Sequence, residues 1–199
     1  KIIEDASHGI GSKYKNNFVG CCEYSDITVF SFHPVKIITT GEGGIATTND
    51  KKLAKKLNIL RTHGITKDNK EMLNDSHGPW YFEQLELGFN YRMTDIHASL
   101  GLNQMKRLKS FVTKRNALAK NYNILLKDLP LDIPIQSKDC LSSFHLYIVR
   151  LNLEKINANK KEVFNFLRKK GIGVNVHYIP IHYHPFYQNL NFKKGYLPE

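Results

Sequence analysis

Three short strand-like runs, at residues 1–4, 27–32 and 45–48, alternate with segments whose apolar residues recur every three or four positions. This alternation of strand and helix periods limits the available folds more than any other feature, and it predicts an α/β layer architecture. Asp50 stands where a helix cap belongs, ahead of Leu53, Leu57 and Leu60 at helical spacing, and Gly64 follows His63 as a stop. Thr94 and Asp95 introduce a second helix with Ile96, Leu100, Met105, Leu108 and Val112 on one face, where Gly101 allows a neighbour to pack closely. A third helix, carrying Leu118, Tyr122 and Leu125, runs out before Pro130 and Pro134. Beyond it the pattern reads as strand at 145–151, helix at 159–170 with Val163, Phe164 and Leu167 inward, a stop at Gly171, and strand at 172–179. A domain boundary is therefore expected near residue 113, dividing 1–112 from a small α+β unit at 113–199. Residues 65–92 make an irregular connection too long for a simple link, and long ordered loops are commonly functional.

The net charge of +11 raises nucleic acid as a partner. Its placement argues otherwise: Lys51, Lys52, Lys55 and Lys56 lie opposite the leucines of one helix, as on a solvated face, and no nucleic-acid motif accompanies them. No apolar run reaches membrane-spanning length, so no membrane partner is expected. With three cysteines, two of them adjacent, neither a disulfide framework nor a zinc ribbon is indicated, and a reducing cytoplasm is the natural setting. The chain opens at Lys1 inside a strand-like run and closes after a loop-like stretch, so it is expected to be a piece of a longer protein.

Several residues have the chemistry of a site. Asp5, at the C-terminal tip of the first strand, is placed to bind a metal, act as a base or face a protonated ring nitrogen; it is equally placed to cap a helix. His8 follows three residues later. In Phe30-Ser31-Phe32-His33-Pro34-Val35-Lys36 a strand ends in a short polar loop. A lysine amine attacks carbonyls only as the free base, a form that apolar surroundings favour; the other reading is a lysine that runs past aromatic residues to solvent. Gly41-Glu42-Gly43-Gly44 resembles a phosphate cradle but leads into a strand rather than a helix, as a hairpin turn would. Gly88-Phe89-Asn90-Tyr91-Arg92 sets an amide, a phenol and a guanidinium ahead of a helix start, suited to an anion or, for Arg92, to a structural salt bridge. His177, His182 and His184 lie near Tyr178 and Tyr183; no acidic or thiol partner sits at ligand spacing, so a polar pocket wall is favoured over a metal site.

Taken together, Glu4-Asp5-Ala6-Ser7-His8, Ser31-Phe32-His33-Pro34-Val35-Lys36, Thr39-Thr40-Gly41-Glu42-Gly43-Gly44 and Gly88-Phe89-Asn90-Tyr91-Arg92-Met93 resemble the DegT/DnrJ/EryC1/StrS sugar aminotransferases in order and spacing. The resemblance implies part of a type I pyridoxal-phosphate-dependent transferase fold, with residues 1–112 in the large domain. It implies that Lys36 is the Schiff-base lysine, that Asp5 pairs with the pyridinium nitrogen, that Ser31 holds the cofactor phosphate and that His8 packs beside the ring. Asn90 would reach the phosphate of a neighbouring subunit's cofactor, implying a homodimer with shared sites, while Arg92, His177 and Tyr178 would meet substrate. Residues 78–92 look like the pseudaminic-acid branch, which aminates a UDP-linked 4-keto-6-deoxy amino sugar from L-glutamate. The other expectations are an enzyme for another nucleotide-linked 4-keto sugar, of perosamine or bacillosamine type, or a non-catalytic nucleotide-sugar-binding fragment. Related sugar 3-dehydratases carry histidine where this chain has Lys36. The family's phosphate loop and ring-stacking aromatic would lie upstream of Lys1.

Overall fold

In Ile27–Ser31 the side chains of Thr28 and Phe30 are buried and that of Val29 is exposed, the alternation a pleated strand imposes on a β-branched and aromatic run. In the computed structural model, which describes residues 1–193 and 195–197, this run is the middle of a three-stranded sheet. The strands of the N-terminal region are β1 (Ile3–Asp5), β2 (Lys13–Tyr14), β3 (Asn17–Phe18), β4 (Ile27–Ser31) and β5 (Gly44–Thr47). β1 runs parallel to β4, with Asp5 opposite Val29; β5 runs antiparallel to it, with Ser31 opposite Gly44. Asp5 and Ser31 thus both close their strands at the same end of the sheet.

The sheet rests on a cluster of Ala6, Phe30, Phe32 and Ile38, against which Ile10, Val19, Met93, Leu108 and Phe111 pack. The largest fully buried side chains are Ile38, Thr28, Thr40 and Ser143, so three of these four carry hydroxyls. Each hydroxyl is satisfied, as burial requires. Thr28 Oγ1 donates to Glu4 Oε2 at 2.8 Å, Thr40 Oγ1 donates to the Glu42 carbonyl at 2.7 Å, and Ser143 Oγ donates to the His8 carbonyl at 3.2 Å.

Helix α1 (Lys51–Leu60) begins where Asp50 Oδ1 accepts from the amides of Lys52 and Leu53 at 2.8 and 3.2 Å. Its lysines face out, and Leu53, Leu57 and Leu60 are half-buried. Asp50→Ala leaves those amides without their acceptor, and thermal unfolding of the full-length protein is expected to report a loss of about 1 kcal/mol. The helix ends at Leu60, short of His63; Gly64, at φ +72°, returns its N–H to the Ile59 carbonyl. A Cβ on Gly64 would lie 1.8 Å from the Glu86 carbonyl oxygen, so only glycine fits.

β6 (Ile65–Thr66) and β7 (Glu83–Gln84) pair antiparallel inside the long irregular stretch. Buried Glu83 organises the loop between them. Its carboxylate accepts from the Leu73 amide at 2.6 Å, and from the Asn74 amide, Asn74 Nδ2 and Tyr81 Oη, each at 2.9 Å. These bonds, the Leu73 amide foremost, hold its pKa down to about 2 from an ordinary 4.5. A depressed carboxylate stabilises the fold fully above its unfolded pKa and loses that contribution as pH falls through the folded one, so the loop is expected to loosen between about 4.5 and about 2. Glu83→Ala is expected to speed hydrogen exchange at Leu73 and Asn74 by ~10-fold or more at neutral pH.

The expected single face from Ile96 to Val112 is corrected. Helix α2 (Asp95–Met105), capped by Thr94, stops at Lys106, and α3 (Leu108–Leu126) starts afresh after Arg107. The break rotates the two faces independently: Ile96 is exposed, Val112 is buried, and the face of α2 that packs closest carries Gly101, where a Cβ would meet Thr40 Cγ2 at 2.7 Å. α3 continues through residue 113. Beyond it come β8 (Leu131–Asp132) and β9 (Cys140–Leu141), the latter pairing with β2.

The chain separates into two compact units, Lys1–Arg150 and Leu151–Glu199. The second contains α4 (Lys160–Lys169), entered through a capping box of Asn159 and Glu162, and the short α5 (Pro185–Asn189). Strands were expected at 145–151 and 172–179. Only Arg150–Leu151 takes strand geometry, because an extended run needs a hydrogen-bonded neighbour and the rest has none among the described residues. Among those residues no helix is long and apolar enough to cross a membrane.

Candidate functional site

Asp5 closes β1 and is followed at once by a turn. Its Oδ1 accepts from the Ser7 amide at 3.0 Å and from Ser7 Oγ at 2.5 Å, the bonding of an Asx turn rather than of a helix cap. Oδ2 makes no hydrogen bond among the described residues. The Ser7 hydroxyl, then the Ser7 amide, hold the Asp5 pKa below the usual aspartate range, and the positive fields of His8 and Lys36 act in the same direction. The site therefore presents a fixed negative charge with one oxygen available.

Lys36 reaches that field from the loop that follows the adjacent strand. After Ser31 the chain makes a loop whose neck is tied by Phe32 N–H to the Gly43 carbonyl at 2.8 Å and by Thr40 N–H and Thr39 Oγ1 to the Phe32 carbonyl at 3.0 and 2.9 Å. Inside the loop the Lys36 amide donates to the His33 carbonyl at 2.9 Å, and Ile37 and Ile38 anchor the next two positions in the core. Lys36 is half-buried on a loop that cannot swing freely. Ser31 is half-buried beside it, its Oγ accepting from the His33 amide at 3.4 Å. Gly41–Gly44 turns the chain into β5, as a hairpin does; at Gly43, with φ +154°, a Cβ would meet Thr40 Oγ1 at 2.5 Å and Met93 Cε at 2.7 Å.

That Met93 contact ties the 88–95 segment to the Lys36 loop. Upstream of it, Phe89 and Tyr91 stack at 4.9 Å, their amides bonded to the carbonyls of Leu60 and Arg61 at the end of α1. Asn90 bridges to Thr62, and its side chain is exposed. Arg92 is exposed.

His8, exposed, lies three residues past Asp5, and its ring meets that of His145 at 4.3 Å. Sequence reading singled out His8 and missed His145. It also missed Ser7, although an Asp side chain commonly accepts from the amide two residues on. His177 and Tyr178 belong to the Leu151–Glu199 unit, where both are exposed and their rings lie 4.0 Å apart. No group of three His, Cys, Asp or Glu among the described residues is placed to hold a metal ion.

A profile of the DegT/DnrJ/EryC1/StrS aminotransferase family matches residues 1–199. A UDP-4-amino-4,6-dideoxy-N-acetyl-beta-L-altrosamine transaminase of Campylobacter jejuni is 40% identical over 190 residues, which are 95% of this chain and 47% of that protein. Among solved structures, Helicobacter pylori PseC, an aminotransferase involved in the biosynthesis of pseudoaminic acid, is 36% identical with a TM-score of 0.84, over 96% of this chain and 49% of its own. The putative sugar aminotransferase Spr1654 from Streptococcus pneumoniae is similar in its PLP form, at 32% identity and TM-score 0.84 over 98% of this chain and 48% of that one. Its PMP form gives 35% identity and TM-score 0.85, over 98% and 50%. The chain spans about half the length of the curated relatives it matches.

Proposed function

Because the chain belongs to the DegT/DnrJ/EryC1/StrS aminotransferase family, we propose that the full-length protein moves an amino group from L-glutamate to the C4 ketone of a UDP-linked 4-keto-6-deoxy amino sugar, with pyridoxal phosphate as cofactor. The observation that carries this reading is the charged Asp5 carboxylate, one oxygen open, within the field of the Lys36 amine. The PLP and PMP forms of the pneumococcal neighbour support the cofactor, and the names of the Campylobacter and Helicobacter proteins support the sugar.

These residues fit the group. Asp5 Oδ2 would accept a hydrogen bond from a protonated ring nitrogen, and Ser31 Oγ, at the neighbouring strand tip, would donate to the phosphate. Lys36 Nζ would hold the cofactor covalently and, as a free amine, would carry a proton between carbon atoms of donor and acceptor. Bound pyridoxal phosphate supplies an electron sink for the charge that develops at the reacting carbon. His8 lies beside the ring. Asn90 would reach the phosphate held by a second subunit, so that the working unit is a homodimer with shared sites, and the reading places it in the cytoplasm. Arg92 receives anionic groups, and His177 and Tyr178 line the nucleotide-sugar pocket. In this reading residues 1–112 belong to the large domain and 113–199 to the small one.

Incubating the full-length protein with glutamate and a panel of UDP-linked keto sugars, and following 2-oxoglutarate, tests the reading. The 4-keto-6-deoxy-AltNAc derivative is expected to react fastest. A faster perosamine- or bacillosamine-type precursor would reassign the sugar, and no 2-oxoglutarate with any of them would end the aminotransfer reading.

A further inference from the structure

Residues 142–145 follow a path that the backbone would not take unaided. Phe144 has φ +45°, in the left-handed region that a bulky L-residue rarely enters and that glycine occupies freely. The strain is held from several sides. Ser143, fully buried, accepts at Oγ from Ser12 Oγ and donates its amide to the same Ser12 Oγ, both at 2.9 Å, and its own hydroxyl reaches the His8 carbonyl at 3.2 Å. From α3, Asn116 Nδ2 donates to the Ser142 carbonyl at 2.9 Å, and Arg115 Nη1 donates to the carbonyls of Phe144 and His145 at 2.9 and 3.2 Å. Strained residues that their surroundings over-determine in this way collect at functional sites.

The strained residue delivers His145. Its half-buried ring meets the His8 ring at 4.3 Å with a tilt of 54°, while the Ser143 bond fixes the backbone of His8 from the same side. His8 lies close enough to the Asp5 carboxylate to act on its charge. We infer that His145 is a positioning residue: seated against His8, it sets the plane in which the His8 imidazole meets the cofactor. The turn at 142–145, tied to Ser12, Arg115 and Asn116, holds that ring in place. This rests on the proposed function, which puts His8 beside the cofactor ring.

The test is a double-mutant cycle in the full-length enzyme, read as the dissociation constant of pyridoxal phosphate and as the visible circular dichroism of the bound cofactor. His145→Ala alone is expected to weaken binding ~10-fold and to reduce the dichroism, whereas on a His8→Ala background the same change is expected to alter binding less than about 2-fold. His145→Leu, which fills the space without a flat ring, is carried through the same cycle in case the alanine variant does not fold. Unchanged binding in the single variants, or an equal loss on both backgrounds as a merely structural role would give, overturns the inference while leaving the function intact. A wild-type enzyme with no borohydride-reducible adduct on Lys36 overturns both.

Discussion

Lys36→Ala in the full-length protein is expected to abolish the covalent, borohydride-reducible attachment of pyridoxal phosphate and to lower turnover by roughly 10³–10⁴-fold. The size follows from the loss of two tasks at one atom, since Nζ both anchors the cofactor and moves the proton. Packing should barely change. The loop is fixed by its neck at Phe32, Thr40 and Gly43 and by the buried Ile37 and Ile38, none of which depends on the Lys36 side chain. Thermal unfolding of the apoprotein is therefore expected to match wild type while the reduced protein gains no cofactor mass. A variant that still carries the adduct would put the attachment on another lysine.

Asp5→Asn is expected to separate charge from shape. The amide keeps an oxygen for Ser7 but presents N–H where the carboxylate presents its second oxygen, so a protonated ring nitrogen loses its partner. Turnover is expected to fall ~10²–10³-fold, the scale for deleting one preorganised electrostatic contact, with the adduct on Lys36 retained. Adduct retention distinguishes this variant from Lys36→Ala. The Asp5 pKa lies below the ordinary 3.8. Its stabilising contribution is thus complete above 3.8 and disappears only as pH falls through the lower folded value, so Asp5 gives no acid limb to the rate near neutrality. A wild-type acid limb between pH 5 and 7 that vanishes in Asp5→Asn would contradict this.

The parts of the site that were legible in the sequence are those made by local chain chemistry. β4 announces itself by its β-branched and aromatic run, α1 by the Asp50 cap and its leucine spacing, and the Ser31–Lys36 loop by polar residues at a strand end. Other features depend on partners that arrive from elsewhere. The break between α2 and α3 falls at Lys106 and Arg107, two good helix formers, so nothing local marks it. Residues 145–149 look like a strand but find no ladder, and the ring of His145 reaches His8 only because α3 holds the preceding turn. Glu83 reads as an ordinary surface acid until the loop folds over it.

The buried hydroxyls of Thr28, Thr40 and Ser143 have one more consequence. Thr28 sits at zero exposure with Glu4, Ser25 and Cys22 around its Oγ1, and valine would copy its outline without its bond. An oily interior forgives a change of identity when volume is kept, because dispersion has no preferred direction. A web of directional bonds forgives less, because it fixes angles as well as volume: Thr28 Oγ1 meets Glu4, Cys22 and Ser25, and Ser143 Oγ meets Ser12 and the His8 carbonyl. The scaffold beneath Asp5 therefore behaves as a truss rather than as a filling, and sequence drift in this protein is expected to run through its lysine-rich helix faces while passing around these few small polar side chains.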